Sequence, residues 1–427
     1  MFNMKKLPVF FLLLSMCMSC TKYHDPSIEV ISRYYFGFMN APGQKYMAGD
    51  MVDDSLSFYI ININGMPYQD ALIKFEVISG GGTLSSTDTR TDSLGKAYTT
   101  WQLGNETVMQ KVRARIFSSE GDYVSSSELY EYGFRKNRWD EFSESPAGSM
   151  RSVAADTVNH MTLMVSGGNI YRMGDKYYNW NQVNSTGNRS YSSVDIDRTG
   201  VFYIASWDGY LMKSNDGGNS WLSCASPYTD ISTTMHLYVA NDNSIWAFAN
   251  TYPTKYSTDG GSTWNIAGGD LSQWGYGDVF RMKDGSLLFH GSDCCSLHRS
   301  TDGGATWTPL QTPGYSLKAY VDENDNIYIV TQEGGISIYK SADYGLTFEK
   351  LYSVMPLWGT GLDHTFHIWH NTYYILIPGY GILRSDDLIH FTNFWLNENL
   401  IDMFITDNGV FIAKDRDMYT IYYYSSL

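Results

Sequence analysis

The sequence is poor in cysteine, in basic residues and in long apolar runs. It has five cysteines among 427 residues and no Cys-x-x-Cys pair, so a zinc site is not predicted. Its 30 lysines and arginines are outnumbered by 45 aspartates and glutamates, and this net charge of -15 argues against nucleic acid or anionic lipid as a partner. We therefore expect no metal, no cofactor and no nucleic acid. Adjacent Cys294 and Cys295 are compatible with a vicinal disulfide or with two free thiols.

One apolar run of about ten residues lies near the N-terminus, in MFNMKKLPVFFLLLSMCMSC. Such a run is too short to span a bilayer as a mature helix, so residues 1–19 are predicted to be a signal peptide. The end of the segment resembles a lipobox, which implies that Cys20 is acylated and that residues 20–27 form a tether. The resemblance implies a lipid anchor in a Gram-negative envelope, at the surface of the outer membrane. The alternative is an ordinary cleaved signal.

What the sequence does contain is a repeated turn. The stretch KSNDGGNSW at 213–221 recurs as YSTDGGSTW, RSTDGGATW and KSADYGLTF, and two weaker copies bracket these four. The six aspartates are 41 to 44 residues apart, at positions 175, 216, 259, 302, 343 and 387. A period of that length without helical patterning is typical of arrays of small β-sheets, such as the blades of a propeller. A motif used six times is not expected to be a single active site.

Each repeat also contains an apolar hairpin before the turn, for example DRTGVFYIAS, and a strand that begins at the aromatic residue after it. These segments predict four antiparallel strands per unit, with the aspartate turn between the third and the fourth. The last unit has three strands, and residues 137–142 are predicted to supply the fourth and so close the ring. Residues 137–427 are thus predicted to form a seven-bladed β-propeller.

The repeated turn resembles the Asp-box, or BNR repeat, of sialidases, xyloglucanase-type glycoside hydrolases, the sortilin group and photosystem II assembly factor propellers. The resemblance implies that Asp216, Asp259, Asp302 and Asp343 are structural residues that hold their blades together. In those families the boxes lie on the propeller face opposite the ligand. It therefore implies that a ligand binds at the loops between second and third strands and at the loops between blades.

Residues 28–133 differ from the repeats. NGMPYQDALIKFEVISGGGTLSS and TDSLGKAYTTWQLG alternate apolar and polar residues between glycine-rich turns, which is typical of a sandwich of short strands. The segment resembles the bacterial Ig-like module of the invasin and intimin type, which implies a stiff spacer. The predicted fold is therefore all-β, with an N-terminal Ig-like β-sandwich followed by a seven-bladed β-propeller with Asp-box repeats.

The loops predicted on the ligand face are rich in aromatic residues and carboxylates. Exposed aromatic rings beside hydrogen-bonding acids suit sugar rings, which have an apolar face and a polar edge. A chain with 34 tyrosines and 12 tryptophans also scatters aromatics over any surface, so the pattern alone leaves both interpretations open. We expect non-catalytic binding of a glycan or a protein. The candidate ligand-binding residues are Trp207, Trp274, Tyr276, Tyr315, Trp358 and Tyr380.

An enzyme on the same scaffold is the alternative. Glycoside hydrolysis needs two carboxylates about 5 Å or about 6.5 to 9.5 Å apart, and the candidates are Asp208, Asp293 and Glu333. Sialidase chemistry is disfavoured because the Arg-Ile-Pro motif of that family is absent, although Arg151, Arg189 and Arg416 are placed near the ligand face.

Two motifs resemble metal sites. HTFHIWH spaces three histidines evenly from 364 to 370, but it is predicted to lie on a first strand, where six residues span roughly 20 Å. DENDN at 322–326 resembles a calcium loop, but isoleucine follows where an EF-hand needs glycine. Both motifs are predicted to be structural.

Overall fold

The computed structural model describes residues 34–117, 121–142, 150–156, 161–174, 178–183, 189–229, 234–269, 271, 277–291, 296–322, 324–332, 335–354, 366–369, 372–377, 380–397, 399–405, 410–415 and 421–425. Within these ranges the elements of the fold are β-strands. The prediction of an all-β protein is therefore confirmed.

Ten strands form the N-terminal unit: β1 (Tyr34–Phe38), β2 (Lys45–Met47), β3 (Leu56–Asn62), β4 (Leu72–Ser79), β5 (Thr83–Leu84), β6 (Asp88–Arg90), β7 (Lys96–Thr99), β8 (Trp101–Gln102), β9 (Met109–Phe117) and β10 (Tyr123–Phe134). They pair as a sheet in the order β1-β3-β7, a sheet in the order β2-β10-β9-β4-β6, and a short β5-β8 pair. Strict alternation in β9 buries every second side chain. Ala114 and Ile116 of β9 thereby pack with Phe58 of the other sheet, so the core lies between the two sheets.

The later strands form seven four-stranded antiparallel sheets within the described ranges. Sheets 1 to 3 contain β12 (Met150–Asp156), β13 (Met161–Ser166), β14 (Asn169–Gly174), β15 (Asn181–Gln182); β16 (Tyr191–Ile196), β17 (Phe202–Ser206), β18 (Leu211–Ser214), β19 (Leu222–Ser223); and β20 (Met235–Val239), β21 (Ile245–Ala249), β22 (Lys255–Ser257), β23 (Asn265–Ile266). Sheets 4 to 6 contain β24 (Gly277–Arg281), β25 (Leu287–Gly291), β26 (Ser296–Ser300), β27 (Thr308–Pro309); β28 (Tyr315–Val321), β29 (Ile327–Gln332), β30 (Ile336–Ser341), β31 (Glu349–Val354); and β32 (Phe366–Trp369), β33 (Thr372–Ile377), β34 (Gly381–Ser385), β35 (Thr392–Leu396). Sheet 7 contains β11 (Asp140–Phe142), β36 (Leu400–Ile405), β37 (Val410–Asp415) and β38 (Ile421–Ser425).

Three of the second strands are buried along their whole length. β17 has the sequence FYIAS, β21 is IWAFA and β25 is LLFHG, and every residue of the three is buried. A strand covered on both faces needs apolar side chains on both, so it is apolar throughout and does not alternate. These three strands therefore place sheets 2, 3 and 4 each between two neighbours.

Buried side chains join each sheet to the next around a ring. Leu163 of sheet 1 packs with Ile204 of sheet 2, and equivalent clusters join every following pair of sheets. A further cluster joins Met173 of sheet 1 to Phe404 of sheet 7. The ring centroids of Trp180 and Phe404 are 6.0 Å apart in this cluster. Sheet 7 thus contacts sheet 1.

Sheet 7 is assembled from both ends of this part of the chain. Its order is β11-β38-β37-β36, and β11 pairs antiparallel with β38. The segment that leads into β11 is held by an ion pair, because Arg135 Nε donates to Asp140 Oδ1 at 3.0 Å and the Arg135 N–H donates to Asp140 Oδ2 at 2.6 Å. Asp140 is only 2% exposed. The outermost strand of sheet 7 therefore comes from the segment that follows the N-terminal unit.

The antiparallel order gives the ring two different faces. Turns between first and second strands and between third and fourth strands lie at one end of each sheet, which we call the turn face. Connections between second and third strands and between successive sheets lie at the other end, which we call the loop face. The repeated Ser-x-Asp turns join third to fourth strands, so they lie on the turn face.

The N-terminal unit packs against the turn face where sheets 1 and 7 meet. The N–H of Lys45 donates to Asn179 Oδ1 at 2.8 Å, and the N–H of Tyr178 donates to the Lys45 carbonyl at 3.0 Å. The rings of Phe134 and Tyr178 meet edge to face, with centroids 4.8 Å apart. Tyr178 and Asn179 follow the third strand of sheet 1, where the other sheets have the repeated turn. Asp175, the aspartate of this copy, lies outside the described residues.

Candidate functional site

Four of the repeated turns share one set of hydrogen bonds. In sheet 2, Ser214 Oγ donates to Asp216 Oδ1 at 2.8 Å and accepts the N–H of Gly218 at 2.8 Å. Asp216 Oδ1 also accepts the N–H of Ser220 at 2.9 Å. Gly218 has φ of 84°, a left-handed conformation that glycine adopts without strain. The other three turns repeat the pattern with Ser257 and Asp259, Ser300 and Asp302, and Ser341 and Asp343.

In each of these turns, both oxygens of the aspartate accept hydrogen bonds from residues of the same turn. A hydroxyl of Ser220, Thr263, Thr306 or Thr347 donates to each, and with the backbone N–H groups it lowers the pKa to about 2. In sheet 6 the equivalent Asp387 is bonded to the His390 ring, which places its pKa far below the usual range. A carboxyl group that stays ionised to such low pH is not a general acid near neutrality. The hydrogen bonds of these carboxylates therefore stabilise the turns that carry them.

The loop face carries a cluster of aromatic and charged side chains, which we call the Trp207 cluster. Its members are Arg151, Arg189, Trp207, Asp208 and Tyr210. Arg151 is the second residue of β12, the first strand of sheet 1, and Arg189 lies two residues before β16, the first strand of sheet 2. The other three belong to the connection between β17 and β18. The cluster therefore spans two adjacent sheets on the face opposite the Ser-x-Asp turns.

A tight turn points the cluster outward. The N–H of Ser206 donates to the Tyr210 carbonyl at 2.9 Å, and the N–H of Tyr210 donates to Ser206 Oγ at 2.9 Å. Gly209 closes the turn with φ of 87°, a conformation that is strained for residues with a Cβ. Trp207 and Tyr210 are 41% and 48% exposed as a result.

The Trp207 ring is held at its edge and on one face. Its Nε1–H donates to the Tyr191 carbonyl at 3.0 Å, and its backbone N–H donates to the Ser190 carbonyl at 2.9 Å. The Arg151 guanidinium lies 4.6 Å from the ring centre. A ring fixed in this way loses little conformational entropy when a ligand binds to its remaining surface.

Asp208 and Arg189 form an ion pair in the same cluster. Asp208 also accepts a hydrogen bond from Ser206 Oγ, and the Arg189 guanidinium stacks over the Tyr210 ring at 3.4 Å from its centre. The carboxylate is thus held by two donors and presents a fixed acceptor at the surface. Glycoside hydrolysis would need a second carboxylate at a set distance, and the other two candidates, Asp293 and Glu333, lie outside the described residues.

The remaining predicted ligand residues differ in position and exposure, and none belongs to the Trp207 cluster. Tyr315 begins strand β28 and does not lie in the connection before it, and it is 70% exposed at the loop face. Tyr380 lies between β33 and β34 as predicted, but it packs against buried residues and its hydroxyl donates to Asn393 Oδ1 at 2.9 Å. Trp274, Tyr276, Trp358 and Cys20 lie outside the described residues.

Sequence reasoning missed Tyr210 and a polar group between the first strands. In that group Asp195 Oδ2 accepts the N–H of Val239 at 2.6 Å, and Lys318 Nζ lies 2.6 Å from Asp278 Oδ2. Burial is the main cause that raises the pKa of Asp195 to about 7, and the charge of Asp278 adds to it. The available signal was a charged residue inside an apolar first strand, in YSSVDI, GDVFR and YSLKAYV.

The two motifs that resemble metal sites lie in strands and turns. His367 is in β32, and one of its ring nitrogens bonds the Met403 carbonyl of the next sheet at 2.6 Å; His364 and His370 lie outside the described residues. Asp322 accepts the N–H groups of Asn324 and Asn326 within its own turn. In the described part of the chain, no three histidines, cysteines or acidic residues are grouped as metal ligands. That part also has no helix with the length and hydropathy to cross a bilayer.

No protein-family model matches the chain. A xyloglucanase from a Paenibacillus species is 26% identical over 206 residues, covering 38% of this chain and 20% of that protein. The match therefore spans about a fifth of the relative's length. Two solved structures each cover 67% of this chain at a TM-score of 0.50: YCF48 bound to D1 peptide, at 14% identity over 96% of its length, and virginiamycin B lyase from Staphylococcus aureus, at 12% identity over 98%. These likenesses show the fold, and the sheets that follow the N-terminal unit form a β-propeller.

Proposed function

We propose that this chain is an envelope lipoprotein, anchored through Cys20 and exposed at the outer-membrane surface, whose propeller binds a glycan or protein ligand at its loop face. In this proposal the seven sheets are the blades of one ring, the Ser-x-Asp turns are Asp-boxes, and the N-terminal unit is an Ig-like spacer. The observation that carries it is the Trp207 cluster, which is exposed and fixed, while the opposite face is taken up by structural turns and by the N-terminal unit.

The two faces of the ring support this division of roles. The described contacts of the N-terminal unit with the propeller are made on the turn face, for example between Lys45 and Asn179. A ligand on the loop face would approach from the side away from that unit. An anchor before the N-terminal unit would therefore leave the loop face pointing away from the membrane.

The chemistry of the cluster favours a sugar or an aromatic-rich peptide. Trp207 and Tyr210 offer partly exposed rings, and Asp208 and Arg151 offer an acceptor and donors beside them. Sugars combine an apolar ring face with a polar edge, so they need both kinds of group in one place. The rigid turn reduces the entropic cost of binding either ligand.

A glycoside hydrolase is the second candidate, because the curated relative that the chain resembles is a xyloglucanase. Asp208 is the described candidate carboxylate, and its contacts with Arg189 and Ser206 engage both of its oxygens. Hydrolysis needs a second carboxylate at a set distance from the first, and the other two candidates lie outside the described residues. The described geometry at Asp208 therefore favours binding over hydrolysis.

A glycan array probed with the soluble chain, followed by a reducing-sugar assay on each bound glycan, separates the two candidates. Binding without sugar release supports the proposal, whereas release supports the hydrolase. Trp207→Ala should lower affinity for a bound glycan by about 1 to 3 kcal/mol and shift the melting temperature little. Tyr123→Ala, at an exposed tyrosine of the N-terminal unit, is the matched control and should bind normally. Unchanged affinity in Trp207→Ala would contradict the assignment of the loop face.

A further inference from the structure

We infer that the end of the N-terminal unit remote from the propeller is a membrane-contacting surface, which places Ile63, Met66 and Leu94 in the lipid leaflet that holds the anchor. The inference rests on the proposed acylation of Cys20 and adds a second contact with the same bilayer.

Three aliphatic side chains are exposed together at this end. Ile63, Met66 and Leu94 are 64%, 62% and 63% exposed. Single exposed apolar residues are ordinary on protein surfaces, whereas a group of them marks a contact. These three lie on two adjoining turns, since the N–H of Ile60 donates to the Gly95 carbonyl at 2.9 Å. We call the two turns, residues 62–67 and 92–96, the apolar tip.

The backbone of the apolar tip is held by its own hydrogen bonds. The N–H of Asn62 donates to the Met66 carbonyl at 2.8 Å, and Asp92 Oδ1 accepts the N–H of Leu94 at 2.8 Å. Gly65 turns the chain with φ of 78°. The aliphatic side chains therefore project from a fixed frame, and inserting them costs little ordering of the backbone.

The chain from the proposed anchor reaches the unit at this same end. Tyr34 begins the first strand, pairs with Asn62 and packs edge to face on Tyr68 with ring centroids 5.1 Å apart. Thirteen residues lie between Cys20 and Tyr34, a reach of at most roughly 50 Å. The anchor thus tethers the unit by the end that carries the tip, and burial of the exposed aliphatic side chains would favour insertion of the tip into the leaflet.

The propeller lies at the opposite end of the unit. β10 runs from Tyr123, which pairs with Phe117 near the tip end, to Phe134, which packs on Tyr178 of the propeller. A strand of this length covers roughly 35 to 40 Å. Contact of the tip with lipid would therefore set the propeller at a distance from the bilayer.

The charges at and beside the tip balance. Asp70 has a side chain that is 77% exposed, and it is paired with Arg90. Asp92 and Lys96 add one charge of each sign within the tip itself. A surface with balanced charge gains little from the negative potential of anionic headgroups. The occupant we commit to is a lipid bilayer surface, entered by the aliphatic side chains and not held through its headgroup charge.

An environment-sensitive fluorophore at the tip tests the inference. The acylated protein carries Leu94→Cys in a background with Cys224, Cys294 and Cys295 replaced by serine, and it is reconstituted in phosphatidylcholine and phosphatidylethanolamine vesicles. We expect the emission to shift to shorter wavelength and to be quenched several-fold by spin-labelled lipid. A label at Leu346→Cys, which is 71% exposed on a turn of sheet 5, is the control and should remain in water.

The outcomes separate the tip from the anchor. Protein that floats with the vesicles while the label at position 94 behaves like the label at position 346 overturns the inference and leaves the anchor standing. Protein that does not float overturns the proposed anchor, and the inference falls with it. The pair Ile63→Asp and Met66→Asp should abolish the shift at position 94 without preventing flotation. Added phosphatidylglycerol should leave the shift unchanged, and a stronger shift would contradict insertion that does not depend on headgroup charge.

Discussion

The serine that begins each repeated turn is more buried than the aspartate that gives the motif its pattern. Ser214, Ser257, Ser300 and Ser341 are at most 1% exposed, whereas Asp216 is exposed. Each serine hydroxyl connects a buried backbone N–H to the carboxylate, so it links the strand to the turn. The sequence pattern draws attention to the acid, but the less accessible partner is the hydroxyl.

Ser300→Ala is expected to destabilise the propeller by about 1 to 3 kcal/mol, because the Gly304 N–H would lose its acceptor in a buried place. Urea denaturation followed by tryptophan fluorescence measures the change as a lower midpoint. Ser223→Ala, on the exposed edge strand β19, is the matched control and should change stability by less than about 0.5 kcal/mol. Equal midpoints for the two variants would mean that the turn does not depend on its serine.

Two carboxyl groups with raised pKa values, Asp195 and Glu131, are expected to make stability depend on pH near neutrality. Burial raises the pKa of Asp195 from 3.8 to about 7 and that of Glu131 from 4.5 to about 8. Between the unfolded and folded values the folded state holds protons that the unfolded state has lost, so stability falls as the pH rises through this window. We expect the urea midpoint to decrease from pH 5 to pH 8.

Asp195→Asn should make that decrease shallower, because one of the two titrating groups has been removed and Glu131 remains. Asp259→Asn is the control, since the pKa of Asp259 is about 2 and lies outside the window. It should lower stability at every pH without changing the slope between pH 5 and pH 8. A slope that Asp195→Asn leaves unaltered would assign the pH dependence to other groups.

At the residue scale, the candidate site could be predicted only in part. Trp207 and Asp208 follow from the repeat alignment, because both fall in a connection. The contact of Arg151 with Trp207 joins residues of two neighbouring sheets, and spacing within one repeat does not contain it. Asp195 stands where the pattern of an apolar strand predicts an aliphatic residue, so its partners across the ring were not predictable.

At the scale of elements, the strand that matters most is the three-residue β11. It supplies the outer edge of sheet 7, and the buried pair of Arg135 and Asp140 fixes the chain just before it. Trp139 precedes β11 and stacks on Trp395 of sheet 6 with ring centroids 4.2 Å apart. Short strands have little pairing energy of their own, so these side chains hold β11 in place.

Asp140→Asn is expected to cost the propeller about 1 to 3 kcal/mol, because Arg135 would remain largely buried without its charged partner. Hydrogen exchange should show faster exchange in β11 and β38 before other strands respond. Asp70→Asn removes the exposed ion pair with Arg90 and should change stability by less than about 0.5 kcal/mol. Exchange that rises uniformly through all seven sheets would argue against a local role for the pair.

The elements were more predictable than the site. Four-stranded units follow from hairpins and turns that recur at a fixed period, and the described sheets have that order. The fourth strand of the last unit was indicated by Trp139, which matches the aromatic residue opening other fourth strands. The order and register of the strands within the five-stranded and three-stranded sheets of the N-terminal unit were not predictable in detail, because short alternating strands carry little register information.

At the scale of the whole molecule, the N-terminal unit and propeller share a small apolar contact. Phe134 and Tyr178 are buried in it, and beside it the Lys45 N–H donates to the side-chain oxygen of Asn179. The copy of the repeat at this contact, MGDKYYNW, lacks the serine of the Ser-x-Asp pattern. Its residues Tyr178 and Asn179 contact the N-terminal unit instead. The repeat pattern alone does not predict this contact.

Tyr178→Ala should uncouple the two units, because it removes the ring that packs on Phe134. Calorimetry is expected to resolve two unfolding transitions in this variant and one in the native chain, and small-angle scattering should give a larger radius of gyration for the variant. Tyr98→Ala, at an exposed tyrosine of β7, is the control and should retain a single transition. A single transition in both variants would place the coupling elsewhere.

The position of β11 has a consequence for the order in which the chain can fold. Asn137 and Tyr424 come within hydrogen-bonding distance across 287 residues of sequence, and β11 pairs with β38 beside them. Contacts of such long range form late, because a large loop must close before they are made. A chain delivered N-terminus first presents β11 before any of the propeller sheets and keeps its edge unpaired until the last strand arrives. Sheet 7 is complete only when β38 has been added between β11 and β37. A chain that stops before β38 would leave the edges of β11 and β37 open to aggregation.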